Sequence, residues 1–308
     1  MTTSTIAPGT VPPAAGLRNA GVAAAGPRPR ARVGEGPLAR RLLIGLAVAG
    51  AVLVLGAPVL VIFVEALKLG FGTYLANLAL PDTLSAVGLT VFVALIAVPL
   101  NTLFGLAAAW AIGKFRFRGR RLLIAVIEVP FSVSPIVAGV SYLFVYGLQG
   151  LFGEWLRDHD IAILFAWPGI VLASMFVTAS LVAREVIALM EAQGSDMEEA
   201  ALSLGAGGFT TFLRVTLPEI RWALLYGVVL CNARVMGEFG AVSVVSGSIR
   251  GETNTLPLQI ELLYHDYNAA GAFAAATLLT ALALVTLVVK AVLDRVAGSD
   301  GRPRSAGH

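Results

Sequence analysis

Six charged side chains that could grip another molecule lie in one stretch of the chain. Asp196, Glu198, Glu199, Arg214, Glu219 and Arg221 fall between two apolar segments. They frame a spaced pattern: Glu199-Ala200-Ala201, three residues, Gly205, nine residues, then Val215-Thr216-Leu217-Pro218. No nucleophile–base constellation accompanies them. His159, His265 and His308 are scattered without metal-ligand spacing, so neither an enzyme site nor a metal centre is supported. The chemistry on offer is docking: a polar, folded loop that a partner can hold.

Local signals give this loop a shape. Ser195-Asp196-Met197-Glu198 has capping-box spacing, which predicts that Ser195 caps a helix and Glu198 reaches back. Acids in a first turn also suit the positive end of the helix dipole. Met197, Ala200, Ala201 and Leu204 recur at i, i+3, i+4 and i+7, one helical face. The small Ala200 and Ala201 permit close approach of a partner. Gly205 stands where a left-handed residue ends a helix. Phe209, Phe212 and Leu213 predict a second short helix that ends near Pro218. The alternative is an ordinary amphipathic pair lying on a membrane, with the acids acting only as caps.

The elements that position the loop are membrane spans. Apolar residues make up 57% of the chain, mean hydropathy is +0.83, and only 13% is charged, against about 25% in soluble domains. About 20 apolar residues cross a bilayer. Six stretches have that length: 42–67, 85–113, 122–148, 161–186, 223–247 and 269–293. The first is too long for a signal-peptide core and is read as a retained span. With both termini cytoplasmic, 18 Lys and Arg fall on the inner side and 3 on the outer, a clear positive-inside bias. The basic charge therefore reflects topology and does not indicate nucleic acid. The expectation is an all-α membrane protein with six transmembrane helices. It has a disordered cytoplasmic tail over 1–41, a transmembrane domain over 42–295 with the docking loop at 187–222, and a short cytoplasmic tail over 296–308. Cys231, the single cysteine, is read as a small buried hydrophobe in the fifth span.

Two spans carry irregularities. Pro130, Ser132, Ser134, Pro135 and Gly139 crowd the third. Proline frees a carbonyl one turn back, and in lipid that group must be met by protein or by water. A kinked packing helix and an irregular segment lining a polar pathway are both open. The fifth span holds Arg234 and Glu238, spaced to pair on one helical face. A charge at the bilayer centre costs about 2.5–3.5 kcal/mol on insertion scales. The pair either fixes packing or offers Arg234 to an anion. Glu128 is read as a structural or interfacial acid near the inner end of span three. Ser132, Ser134 and Ser243 are candidate hydroxyl donors on the pathway.

The loop pattern resembles the cytoplasmic signature of bacterial ABC importer permeases: Glu-Ala-Ala, three residues, Gly, nine residues, Ile, any residue, Leu-Pro. Every position matches except Val215, which replaces Ile. The resemblance implies a type I importer permease fold. It also implies a coupling helix in which Glu199, Ala200, Ala201, Gly205, Leu217 and Pro218 engage an ATPase subunit. The chain has no G-x-x-x-x-G-K-[ST] phosphate loop, so ATP and Mg would be bound by the partner, with no cofactor here.

Pro99-Leu100-Asn101 with Ala109-Trp110 and Lys114 to Gly119, Pro130 to Pro135, and Ala233 to Ser243 with Gly251 to Leu258 together resemble the W-type permease of sulfate/thiosulfate importers. That implies a second, T-type permease in a heterodimer, two ATPase subunits, an external sulfate-binding protein and a bacterial inner-membrane location. The Gly237-Glu238-Phe239-Gly240 and Gly251 to Leu258 elements are similar in molybdate permeases, so a molybdate/tungstate importer is the alternative. A stand-alone secondary anion transporter is the alternative of another class. It predicts inverted repeats or an ion site in the membrane, and the sequence shows neither.

Overall fold

The computed structural model describes residues 37–300, so 1–36 of the tail expected over 1–41 and 301–308 of the tail expected over 296–308 lie outside the described residues. Every described element is helical. The chain divides into two units after Leu53. The first holds α1 (Pro37–Ala51), which begins inside the stretch expected to be tail, with proline at the position where a helix tolerates it. A π-helical turn, Val52–Gly56, leads into α2 (Ala57–Leu67). The second unit continues with α3 (Phe71–Leu78), α4 (Pro81–Lys114), α5 (Arg120–Ser132), α6 (Pro135–Tyr146), α7 (Gly153–Asp158) and α8 (Trp167–Gln193). It ends with α9 (Asp196–Ser203), α10 (Gly208–Thr211), α11 (Leu217–Met236), α12 (Gly240–Val245), α13 (Leu256–His265) and α14 (Ala269–Asp300).

Four helical runs are long and apolar enough to cross a membrane alone: Leu38–Leu67, Pro81–Lys114, Trp167–Gln193 and Ala269–Leu293. The expected third span, 122–148, is instead the pair α5–α6, bent by 108° at Val133–Ser134. Ser134 precedes Pro135 and is extended, as the proline ring requires of its neighbour. The expected fifth span, 223–247, is also broken: α11 stops at Met236 and α12 starts at Gly240. Glu219, Arg221 and Arg234 make α11 too charged to qualify by composition.

The core is the parallel pair α4 and α8, with α11 laid across both. Small residues set the spacing, as expected where helices gain nothing by leaving lipid and must pack closely. A Cβ on Gly105 would sit 2.8 Å from Val182 Cβ and 2.9 Å from the Ala183 amide. Ala97, Ala109 and Ala183 are fully buried along this seam. One polar knot crosses it: Asn101 donates to the Met175 carbonyl (3.1 Å) and to Thr178 Oγ1 (2.7 Å). Cys231 of α11 is buried against the same amide at 4.0 Å, in keeping with its reading as a core residue.

Candidate functional site

The loop between α8 and α11 is folded against the end of α4 by a buried ion pair. Lys114 Nζ, the last residue of α4, lies 2.7 Å from Glu198 Oε1, and the two side chains are 8% and 11% exposed. Lys114 also donates to the Gly194 carbonyl at 2.6 Å, and Thr216 Oγ1 donates to the same Glu198 oxygen at 3.0 Å. Burial alone would raise the Glu198 carboxyl. The bond from Lys114, the Glu198 backbone N–H, Thr216 and the Lys114 charge outweigh burial and hold it below its ordinary 4.5. Beneath α9 lies a cleft of about 340 Å³ lined by Trp110, Phe115, Leu202 and Phe212. The Trp110 and Phe212 ring centroids are 4.6 Å apart.

This geometry corrects the expected capping box. Ser195 makes no cap; its hydroxyl donates to Glu199 Oε1 at 2.7 Å. Glu198 turns into the protein because a charged partner waits there. The expected C-terminus is present: Gly205 has φ +86°, its N–H meets the Leu202 carbonyl (3.0 Å), and the Ala206 N–H meets the Ala201 carbonyl (3.1 Å). The 197/200/201/204 face points away from the bundle. Met197 is 61% and Leu204 90% exposed, Ala200 is exposed and Ala201 half-buried.

The second short helix does not end at Pro218, as the sequence predicts. α10, a π-helical turn (Phe212–Thr216) and α11 run on without interruption. The wide turn bonds the Leu217 N–H to the Phe212 carbonyl. This lets Pro218 enter without its ring striking the carbonyl one turn back. Leu217 packs on the core, while Pro218 is exposed.

The two broken spans meet at their breaks. A Cβ on Gly139 would sit 2.8 Å from the Ala241 carbonyl oxygen, and one on Gly240 would sit 3.0 Å from Pro135 Cβ. The glycines thus let α12 lie directly on α6. Arg234 and Glu238 form the expected pair at 2.7 Å, with side-chain exposures of 42% and 1%. Glu238 is not on a continuous helix, however. It stands in the break and accepts the Ala241 N–H at 3.0 Å, tying α12 to α11. Ser132 and Ser134 are exposed at the bend, and their hydroxyls bond to no partner among the described residues, whereas Ser243 is half-buried and donates to the Gly240 carbonyl (2.9 Å). Among the described residues no group of three His, Cys, Asp or Glu side chains could hold a metal.

Residues 102–298 match the family described as binding-protein-dependent transport system inner membrane component. The chain belongs to this family. It is 53% identical over 267 residues to the sulfate transport system permease protein CysW of Escherichia coli K12, covering 86% of this chain and 92% of that one. It is 50% identical to the CysW of Synechocystis, covering 83% and 93%. It is 34% identical to the E. coli sulfate permease CysT, covering 79% and 89%. In fold it resembles a chain of a bacterial alginate ABC transporter solved with its alginate-bound periplasmic protein. The TM-score is 0.69 at 16% identity, with 84% of this chain and 93% of that chain covered.

Within the family match, the structure separates the residues expected from sequence into three groups. Glu199, Ala200 and Gly205 stand on the outer side of the loop. Leu217 and Ser243 are turned to packing. Ser132, Ser134, Arg234 and Glu238 gather at the paired breaks. Sequence reasoning missed Lys114, Glu198 and Thr216 as a unit. The one local signal was a second glutamate next to Glu199; helical spacing turns the two to different sides, but nothing in it shows which side meets a buried cation.

Proposed function

We propose that the chain is one of two membrane-spanning permease subunits of an ATP-driven sulfate/thiosulfate importer, coupled to an ATPase subunit through α9. The supporting observation is the outward apolar face of Met197, Ala200 and Leu204, carried on a helix whose other side is fixed by the Lys114–Glu198 pair. Small residues flanked by exposed apolar ones suit insertion into a cleft of a partner. The 50–53% identity to CysW proteins across most of the chain supports the sulfate class and a heterodimer with a T-type permease. Two ATPase subunits would supply ATP and Mg. An external binding protein would deliver the anion to the ends of α6–α8 and α12–α13. In this reading the chain crosses the bilayer six times, with α5–α6 and α11–α12 as broken crossings. The α9 end and both termini are cytoplasmic, and the chain has no catalytic site of its own.

The paired breaks then line the anion path. Interrupted helices at mid-membrane are where transporters expose backbone and hydroxyl donors to substrate. Arg234, 42% exposed and tethered by Glu238, presents positive charge without being free to swing.

The test is sulfate uptake by the complex assembled with a T-type permease, ATPase and binding protein, with thiosulfate and molybdate as competitors. Glu199→Lys and Gly205→Pro should leave the permease in the membrane but abolish stimulated ATPase and uptake. Normal uptake by either variant overturns the coupling role. Preferential inhibition by molybdate moves the cargo to the molybdate/tungstate class, with which the Gly237 to Gly240 element is shared. Uptake by the chain alone would place it among stand-alone transporters.

A further inference from the structure

Arg184 sits on the exposed side of α8 and has no carboxylate partner among the described residues. Its guanidinium carbon lies 4.5 Å from the centroid of the Phe131 ring. Its depth follows from its neighbours. Arg120, at the start of α5, pairs with Glu191 near the end of α8 at 2.6 Å, which marks the charged layer at the α9 end. Glu191 is two turns past Arg184, about 10 Å at 1.5 Å per residue. On the other side, Gly227 of α11 abuts Val182 and Glu185, so Arg184 is level with Gly227. Arg234 lies two turns further along α11, again about 10 Å away.

An arginine that faced lipid at this depth would turn its long stem toward the near interface. Arg184 does the reverse. Phe131 is one turn farther from the charged layer than Glu128, and it directly precedes the bend at Ser132–Ser134. The guanidinium therefore reaches toward the middle of the membrane, in the direction of the bend that carries Ser132 and Ser134. Charges at such depth face water or protein interior. Glu128 and Arg184 line one cleft of about 230 Å³ with Ile124 and Ile187, yet make no ion pair.

We propose that Arg184 is a second cationic station for a tetrahedral oxyanion dianion. It stands midway between Arg234 and the inner charged layer, with Ser132 and Ser134 as neighbouring donors. Glu128, a like charge to the cargo, keeps the station weak, so the anion moves on instead of lodging there. The proposal rests on the importer reading above. It adds a residue that the signature motifs do not touch.

The test uses the assembled complex in phosphatidylcholine nanodiscs, which contain no anionic headgroup. Cys231, the single cysteine, is fully buried, so the unsubstituted chain is the silent control. Arg184→Cys should react with water-borne methanethiosulfonates, and sulfate should slow that reaction. Its uptake should fall tenfold or more, as expected for losing a charged contact. The aminoethyl reagent, which restores a cation, should recover uptake; the sulfonatoethyl reagent should not. Arg184→Lys should keep a measurable share. Labelling is scored only in complex captured through its ATPase subunit, so unfolded protein does not count.

If no charged reagent reaches the Arg184→Cys thiol, the proposal is overturned, since the position is then sealed by the second permease or by lipid. Labelling that sulfate leaves unchanged, or recovery with both reagents alike, also overturns it. Protection that appears only when anionic lipid is added assigns the site to a headgroup and has the same consequence. If the unsubstituted complex takes up no sulfate at all, the importer reading falls and the station with it.

Discussion

The Lys114–Glu198 pair is the attachment on which α9 depends, and its removal has a calculable consequence. Glu198→Gln keeps the shape but deletes the charge that faces Lys114 at 2.7 Å. Breaking one partner of a fully buried pair costs about 3–5 kcal/mol. Two features lower the figure here. The side chains keep 8% and 11% exposure, and Lys114 retains the Gly194 carbonyl at 2.6 Å. Losing a charged hydrogen bond without orphaning its donor costs about 2–3 kcal/mol. That is roughly a 30- to 150-fold rise in the detached population. An eight-residue helix does not persist alone, so detachment means melting of Asp196–Ser203.

Amide hydrogen exchange over 196–203 should therefore accelerate by that factor in Glu198→Gln, and by more in Lys114→Met, which also loses the Gly194 carbonyl bond and leaves the Glu198 carboxylate without its cation. The double variant should cost little more than the costlier single one, because each alone already removes the contact. The reversed pair, Lys114→Glu with Glu198→Lys, should restore much of the protection. The pH dependence has a definite sign. A depressed carboxyl contributes stability that is fully present above its ordinary 4.5 and is lost as pH falls through its lower folded value. Protection should thus be flat from about pH 7 to 5 and fall below that. Unchanged exchange in both single variants, or strictly additive effects in the double, would refute the view that this pair carries the loop.

Other substitutions test the remaining joints. Gly205→Ala places a Cβ at φ +86°, at a cost of about 1–2 kcal/mol, and should speed exchange at the end of α9 without altering the spans. Gly139→Val puts side-chain atoms against the Ala241 carbonyl, 2.8 Å from the new Cβ. It should lower thermal stability in detergent by about 1–3 kcal/mol through overpacking of α6 on α12. Arg234→Gln removes the cation beside Glu238, which is 1% exposed; because Arg234 itself is 42% exposed, the loss should be about 1–3 kcal/mol, below that of a fully buried pair, and adding Glu238→Gln should recover most of it. If stability returns in the double variant and uptake does not, Arg234 serves the anion as well as the packing.

Features that depend on a few consecutive residues are legible without coordinates. Gly205 ends α9 in the expected geometry because only local backbone sterics decide it. The proline and serine run of span three signals a disturbed helix, since a missing N–H acts within one turn. Boundaries are less legible where two local signals compete. The spacing predicts a helix end near Pro218, but a π-helical turn absorbs the proline and the helix continues. The apolar length predicts a fifth span running through Gly237, yet Glu238 finds the Ala241 N–H and fixes a break there.

The sequence by itself determined that the chain is apolar enough for membrane spans, that a polar loop interrupts them, and that this loop carries one small apolar face. These follow from composition and period, which are properties of neighbours along the chain. Only the tertiary structure decided which of two adjacent glutamates is buried and that the breaks of two spans lie against each other. Both rest on a partner distant in sequence, Lys114 for Glu198 and Ala241 for Gly139. A side chain's chemistry is fixed by its type, but in lipid and in packed protein its role is fixed by what satisfies its charge or hydrogen bond. That partner is chosen only when the helices pack.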